Sequence, residues 1–147
     1  MNKPTLSPRI LLIEDNPERI VLFRDWLAGT EFVLIEASSG GRAKGILKKG
    51  STAGIAGVML DHDLDQQPMT ATDLLLSASN LVDSIVSSIP RSVPILIHSM
   101  NVSKPPMMQR RLTSAGFSVT RIRMTALTRE NFYEWLQDVR ENWEDSE

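Results

Sequence analysis

The sequence contains no cysteine among its 147 residues. This absence excludes a disulfide framework, a zinc site built on thiolates and a cysteine nucleophile. Long hydrophobic runs are also missing, because the longest apolar stretches, residues 10–13 and 32–35, fall far short of the ~18 residues that a membrane-spanning helix needs. The first eight residues are polar and carry no apolar region of the kind found in signal peptides. We therefore expect a cytoplasmic protein with no membrane association.

A strong net charge is absent as well. Sixteen basic and eighteen acidic side chains leave a net charge of −2, so bulk electrostatic capture of nucleic acid or of an anionic membrane is not expected. The composition, 41% hydrophobic and 23% charged, is that of a folded protein. The length suits a single domain over residues 1–147, with a core from about residue 9 to residue 143. Histidine is scarce, with two in the whole chain.

Short apolar runs alternate along the chain with segments of helical spacing. The first helix is framed by Asn16 as its N-cap, Pro17 at its first position and Gly29 after its end. Thr128 is predicted to cap the last helix. The predicted strands cover 10–13, 32–35, 58–60, 94–97 and 119–123, and the helices between the first and the last cover 42–49, 73–89 and 105–115.

The first four strands are apolar rather than alternating and the fifth is less apolar, a pattern typical of a parallel sheet buried on both faces. Five strands that alternate with five helices predict an α/β fold, a flavodoxin-like, doubly wound five-stranded parallel sheet, (βα)5. In such folds ligands bind beyond the carboxyl ends of the strands, at the switch point of the strand order. The residues at those strand ends are therefore the candidate site.

Polar side chains follow three of the predicted strands. They are Glu14 and Asp15 after the first strand, Asp61, His62 and Asp63 after the third, and His98, Ser99 and Asn101 after the fourth. Both histidines of the protein thus fall at the edge where the flavodoxin-like strand order would bring the strand ends together. This convergence predicts a joint functional site.

Structural roles are open for several of these residues. Glu14 and Asp15 would also interact favourably with the helix dipole at the start of the first helix. His62, taken alone, is consistent with a polar residue of a loop. Turn formation and ligand contact are equally plausible roles for Ser99 and Asn101. Asp61 is different, because a carboxylate at the end of a buried strand is costly unless it is paired or liganded.

The acidic residues at these strand ends resemble the receiver domain of two-component response regulators over nearly the whole chain. The resemblance implies that Glu14, Asp15 and Asp61 hold a divalent cation such as Mg²⁺. It also implies that Asp61 accepts a phosphoryl group and that the hydroxyl of Ser99 contacts that group. One departure lies at the end of the fifth strand, where the family has a lysine followed by a proline and this sequence has Arg121 and Arg123, followed by Met124 and Thr125. Arg123 would then supply the cationic phosphate contact.

Histidine at these positions is a second departure from receivers. The segments Asp-His-Asp-Leu at 61–64 and His-Ser-Met-Asn at 98–101 resemble the cyclic-phosphate-processing receiver family, whose proposed substrates are cyclic phosphate ends of RNA. A pair of imidazoles suits the opening of a cyclic phosphate, because one imidazole acts as the base that takes a proton from water and the other acts as the acid that protonates the leaving oxygen. The residues assigned to this chemistry are His62, His98 and Asp61 as catalytic groups, Asp63 as an orienting group, and Ser99, Asn101 and Arg123 as phosphate ligands.

Three functions are consistent with this pattern. The first is a phosphoesterase that opens terminal cyclic phosphates of RNA or nucleotides with the histidine pair. The second is a phosphorelay receiver that takes a phosphoryl group on Asp61 from a histidine kinase. The third is a degenerate receiver that binds a partner protein without chemistry.

Overall fold

The computed structural model describes residues 7–49, 54–61, 71–99 and 107–145. In these ranges strands and helices alternate from the first element to the last, and none of the described helices is long and apolar enough to cross a bilayer. The elements are β1 (Arg9–Ile13), α1 (Pro17–Leu27), β2 (Val33–Ala37), α2 (Gly40–Lys48), β3 (Ile55–Asp61), α3 (Ala71–Ser88), β4 (Ile95–Ser99), α4 (Met107–Ser114), β5 (Val119–Arg123) and α5 (Arg129–Asp145).

The strands form one parallel sheet in the order β2-β1-β3-β4-β5. This order confirms the predicted flavodoxin-like fold. β2 lies on one side of β1, and β3, β4 and β5 follow on the other side, so the switch point of the strand order lies between β1 and β3. All seven residues of β3 are buried, as expected of the central strand of a sheet covered on both faces. The register places Asp61 opposite His98 and Ser99 opposite Arg123, so the polar strand ends do meet at one edge.

Two hydrophobic clusters cover the two faces of the sheet. Successive side chains of a strand point to opposite faces. Leu11 accordingly belongs to the cluster that packs under α2, α3 and α4, whereas Leu12 belongs to the cluster under α1 and α5. The α1/α5 cluster is the more aromatic one; its rings are those of Phe23, Trp26, Phe32, Phe132 and Trp135.

The helix signals in the sequence match the structure at both ends of the chain. Asn16 caps α1, since its side-chain oxygen accepts hydrogen bonds from the backbone N–H groups of Glu18 and Arg19. Thr128 caps α5 by accepting from the N–H of Asn131. The largest difference between a predicted and an observed boundary is at β3, which begins at residue 55 rather than 58. The small residues Ala56 and Gly57 precede the apolar run at 58–60, so the run alone does not mark the start of the strand.

Gly57 in β3 allows α5 to lie directly on the sheet. A Cβ atom at this position would lie 3.0 Å from Cη2 of Trp135 and 3.1 Å from Cγ2 of Val139. We therefore expect Gly57→Ala to lower the free energy of unfolding by about 1–3 kcal/mol, the usual cost of overpacking a core. The measurement is urea unfolding followed by tryptophan fluorescence.

Gly45→Ala is the matched control for this prediction. Gly45 lies inside α2, and a Cβ atom there would meet nothing within 4 Å. Alanine should stabilise that helix by up to about 1 kcal/mol, because it loses less backbone entropy than glycine. Two variants with the same unfolding midpoint would contradict the proposed close approach of α5 to β3.

Candidate functional site

The site lies at the carboxyl ends of the three central strands. Glu14 follows β1, Asp61 ends β3 and His98 is the next-to-last residue of β4. One donor atom from each of Glu14, Asp61 and His98 falls within 4.8 Å of the others. All three residues have a relative exposure of 0%, which is unusual for ionisable side chains and requires compensating partners inside the protein. The strand register therefore brings together the three buried polar groups that the sequence places at strand ends.

Glu14 is hydrogen-bonded through both of its carboxylate oxygens. Its Oε1 lies 2.9 Å from Nε2 of His98, while its Oε2 accepts hydrogen bonds from the backbone N–H groups of Asp15 (3.0 Å) and Asn16 (3.2 Å). Both carboxylate oxygens thus have partners within the protein. The amide contacts fix the turn between β1 and α1, so Glu14 has a structural role in addition to any role in binding.

His98 is held on two sides. Nε2 of the imidazole is hydrogen-bonded to Oε1 of Glu14, and it is the donor in this bond when Glu14 is an ionised carboxylate. On the other side the ring meets Phe23 edge-on, with centroids 5.1 Å apart and planes at 64°. Phe23 itself contacts the rings of Trp26 and Phe132. His98 is therefore an interior residue that joins the polar site to the aromatic α1/α5 cluster.

Arg19 is a site residue that the sequence analysis did not identify. Its Nη1 lies 3.6 Å from Oε1 of Glu14 and 3.8 Å from Oδ1 of Asp61. The first turn of α1 positions it, since the cap at Asn16 fixes the start of the helix directly beside the strand ends. An arginine in the first helical turn after an acidic pair was the available signal. Arg19 supplies a positive charge to two buried carboxylates.

The remaining predicted residues fall into two groups. Asp15 is exposed at the start of the turn, and Arg123 is exposed at the end of β5, opposite Ser99 at the end of β4. Neither Asp15 nor Arg123 belongs to the buried group of Glu14, Asp61 and His98. The other predicted residues, His62, Asp63 and Asn101, lie outside the described residues, so the histidine pair stays a prediction.

The donor set fits a divalent cation. Glu14 and Asp61 supply carboxylate oxygens, the ligands that Mg²⁺ prefers, and Asp15 follows Glu14 directly along the chain. The imidazole of His98 is a ligand more typical of transition metals, and its Nε2 is already hydrogen-bonded to Glu14. Glu14 and Asp61, with Asp15 beside them, are therefore the residues that would hold Mg²⁺.

Comparison with known proteins identifies the fold through structure and not through sequence. No protein-family model matches the chain, and no curated protein matches it. Solved structures do match over almost the full length, at low sequence identity. The relationship is therefore one of architecture.

Receiver domains are the structures that match. The signal receiver domain of a Luxo repressor protein from Vibrio parahaemolyticus is 16% identical, with a TM-score of 0.69 and 96% of each chain covered. That of an HD domain-containing protein from Pseudomonas fluorescens is 14% identical, with a TM-score of 0.70, 95% of this chain and 98% of that one. The receiver domain of a Pseudomonas aeruginosa sensor histidine kinase, with a magnesium ion in its active-site cleft, is 17% identical, with a TM-score of 0.63, 89% of this chain and 95% of that one. The chain thus has the receiver fold.

Proposed function

We propose that the chain is a receiver-type signalling module in which Asp61 accepts a phosphoryl group from a phosphohistidine of a histidine kinase. The observation that carries the proposal is the position of Asp61 at the end of the central strand, fully buried beside Glu14 and 3.8 Å from the guanidinium of Arg19. Burial of a carboxylate without a chemical or liganding role is unfavourable. The receiver fold of the matching structures supports the same interpretation.

The transfer follows from the nucleophile at Asp61. A carboxylate oxygen attacks phosphorus, the P–N bond to the donor imidazole breaks, and the imidazole leaves with the bonding pair and takes up a proton. The product is an acyl phosphate on Asp61. Mg²⁺ held by Glu14, Asp15 and Asp61 would neutralise the charge of the incoming phosphate. Ser99 and Arg123, paired in register at the neighbouring strand ends, are the proposed phosphate contacts.

The cyclic-phosphate hypothesis has weaker support from the site. An acid or base must reach the substrate within hydrogen-bond distance. Nε2 of His98 is held by Glu14 at 2.9 Å and its ring packs against Phe23, so this nitrogen is not available to a ligand. No comparison indicates an RNA or cyclic-phosphate substrate. The phosphoesterase with His62 and His98 as catalytic pair is accordingly the second candidate, and it enters the test as an outcome.

The test is phosphoryl labelling of the purified chain. Wild type incubated with acetyl phosphate and Mg²⁺ should form one acid-stable, hydroxylamine-sensitive adduct, and Asp61→Asn should abolish it because an amide is not a nucleophile at phosphorus. Peptide mass spectrometry locates the adduct. Asp83→Asn is the matched control, since Asp83 is an exposed aspartate of α3 paired with Arg111 away from the site, and this variant should be labelled like wild type.

Two results would overturn the phosphorelay proposal. The first is a wild type that takes no label but opens a 2′,3′-cyclic phosphate oligonucleotide, with this turnover lost in His98→Ala and in His62→Ala; that result favours the phosphoesterase. The second is the absence of both labelling and turnover, which favours a receiver-like module that only binds a partner protein.

A further inference from the structure

Arg19 lies where a cation bound between the two buried carboxylates would lie. We propose that Arg19 is an internal counter-ion that competes with the divalent cation for Glu14 and Asp61 and thereby sets the cation affinity of the site. The inference rests on the proposed function in one respect, namely that this site binds a divalent cation. It adds a residue on α1 that controls when the site is ready for phosphoryl transfer.

The geometry of one nitrogen carries the argument. Nη1 of Arg19 lies within 4 Å of an oxygen from each carboxylate, 3.6 Å from Oε1 of Glu14 and 3.8 Å from Oδ1 of Asp61. A divalent cation that binds both of these oxygens needs the space between them. The guanidinium and the cation also repel each other, and solvent screens this repulsion weakly because the carboxylates are buried. The two cations therefore exclude each other.

Burial shows the direction in which Arg19 would move. The side chains of Glu14 and Asp61 are at most 1% exposed, whereas that of Arg19 is 18% exposed. Arg19 thus retains contact with solvent while the carboxylates do not. A long arginine side chain moves its charged head into water at low cost while its stem stays packed. Displacement of Arg19 outward would open the carboxylates to the cation.

Because of His98, the replacement of Arg19 by a divalent cation can take place only on the outer side of the site. Its Nε2 holds Oε1 of Glu14 from the interior, and its ring is packed against Phe23. The imidazole has no route to solvent, since it is fully buried. Arg19 is consequently the group that yields when a cation binds, and Glu14 keeps its position throughout.

The experiment measures Mn²⁺ binding to the full chain by the electron paramagnetic resonance signal of free Mn²⁺, with Mg²⁺ as competitor. Arg19→Gln should bind Mn²⁺ at least about fivefold more tightly than wild type, because the competing charge is gone. Arg24→Gln is the matched control. It removes the same charge from the same helix, but Arg24 pairs with Glu36 on the surface, so the affinity should stay at the wild-type value.

Arg19→Gln removes the positive charge beside two buried carboxylates, which disfavours folding in the absence of metal. The second measurement therefore uses wild type. In ¹H–¹⁵N spectra the Nε–H signal of Arg19 should shift on saturation with Mg²⁺, while that of Arg24 should not. An Arg19 signal that stays unchanged while the amide of Asp61 shifts would overturn the proposal.

An affinity in Arg19→Gln that equals or falls below that of wild type overturns the inference, as does the absence of Mn²⁺ binding in both proteins. Failure of the proposed function looks different. In that case Asp61 takes no label from acetyl phosphate, although Arg19→Gln still tightens Mn²⁺ binding. Labelling of Asp61 without any effect of Arg19 on cation affinity would refute the inference alone.

Discussion

Glu14→Ala should lower the free energy of unfolding by about 3–5 kcal/mol, the usual result of removing one partner from a buried charged pair. The substitution leaves the Nε2–H of His98 buried without its acceptor and takes one of two carboxylates away from Arg19. It also frees the backbone N–H groups of Asp15 and Asn16 at the entry to α1. Chemical denaturation followed by far-ultraviolet circular dichroism measures the loss.

Glu36→Ala provides the control for a lost carboxylate. Glu36 pairs with Arg24 on the surface, where its side chain is 34% exposed and that of Arg24 is 58% exposed. Exposed ion pairs contribute little to stability, so the unfolding midpoint should hardly change. A loss of stability in Glu14→Ala as small as that expected for Glu36→Ala would show that the buried network around Glu14 does not stabilise the fold.

The sheet could be predicted because buried parallel strands have a strong sequence signal. The predicted first strand, 10–13, lies within β1, and the strand order is the flavodoxin-like one expected for five alternating strands and helices. Boundaries were less accurate where apolar runs gave no guidance. The helix α2 begins at Gly40 because Ser39 caps it by accepting from the N–H of Arg42, although two glycines at the start are poor helix formers.

The meeting of Glu14, Asp61 and His98 was also predictable from the strand ends. The direction of their side chains could have been predicted in addition, because alternate residues of a strand share a face. Glu14 lies two residues after Leu12, Asp61 two after Met59 and His98 two after Leu96. Those three apolar residues all belong to the α1/α5 cluster. The three site residues therefore point toward the layer that contains α1.

This alternation explains both the position of Arg19, which the sequence analysis did not identify, and the burial of His98. A residue of the first turn of α1 must cover the face that Glu14 and Asp61 share, and Arg19 does so. His98 lies on the same face but beneath α1, where Phe23 covers it. Its role as an accessible catalytic group was expected from the motif alone, which contains no information about burial.

Phe23→Ala should cost about 3–5 kcal/mol of unfolding free energy and should loosen the site as well. Phe23 is fully buried, and its ring centroid lies 5.1 Å from that of His98 and 5.7 Å from that of Trp26. Removal of the ring leaves a cavity between α1 and the end of β4. Urea unfolding measures the loss, with Val21→Ala as control on the same helix; Val21 is 57% exposed, so its truncation should have little effect.

A double-mutant cycle tests whether Phe23 acts through His98. The milder variants Phe23→Leu and Glu14→Gln each remove one contact of the imidazole, the ring contact in the first case and the hydrogen bond to a carboxylate in the second. Once one support is gone, loss of the other disturbs a side chain that is already displaced. We therefore expect the destabilisation of the double variant to fall short of the sum by at least about 0.5 kcal/mol. Strict additivity would mean that the aromatic cluster and the acidic site are independent, since His98 would not couple them.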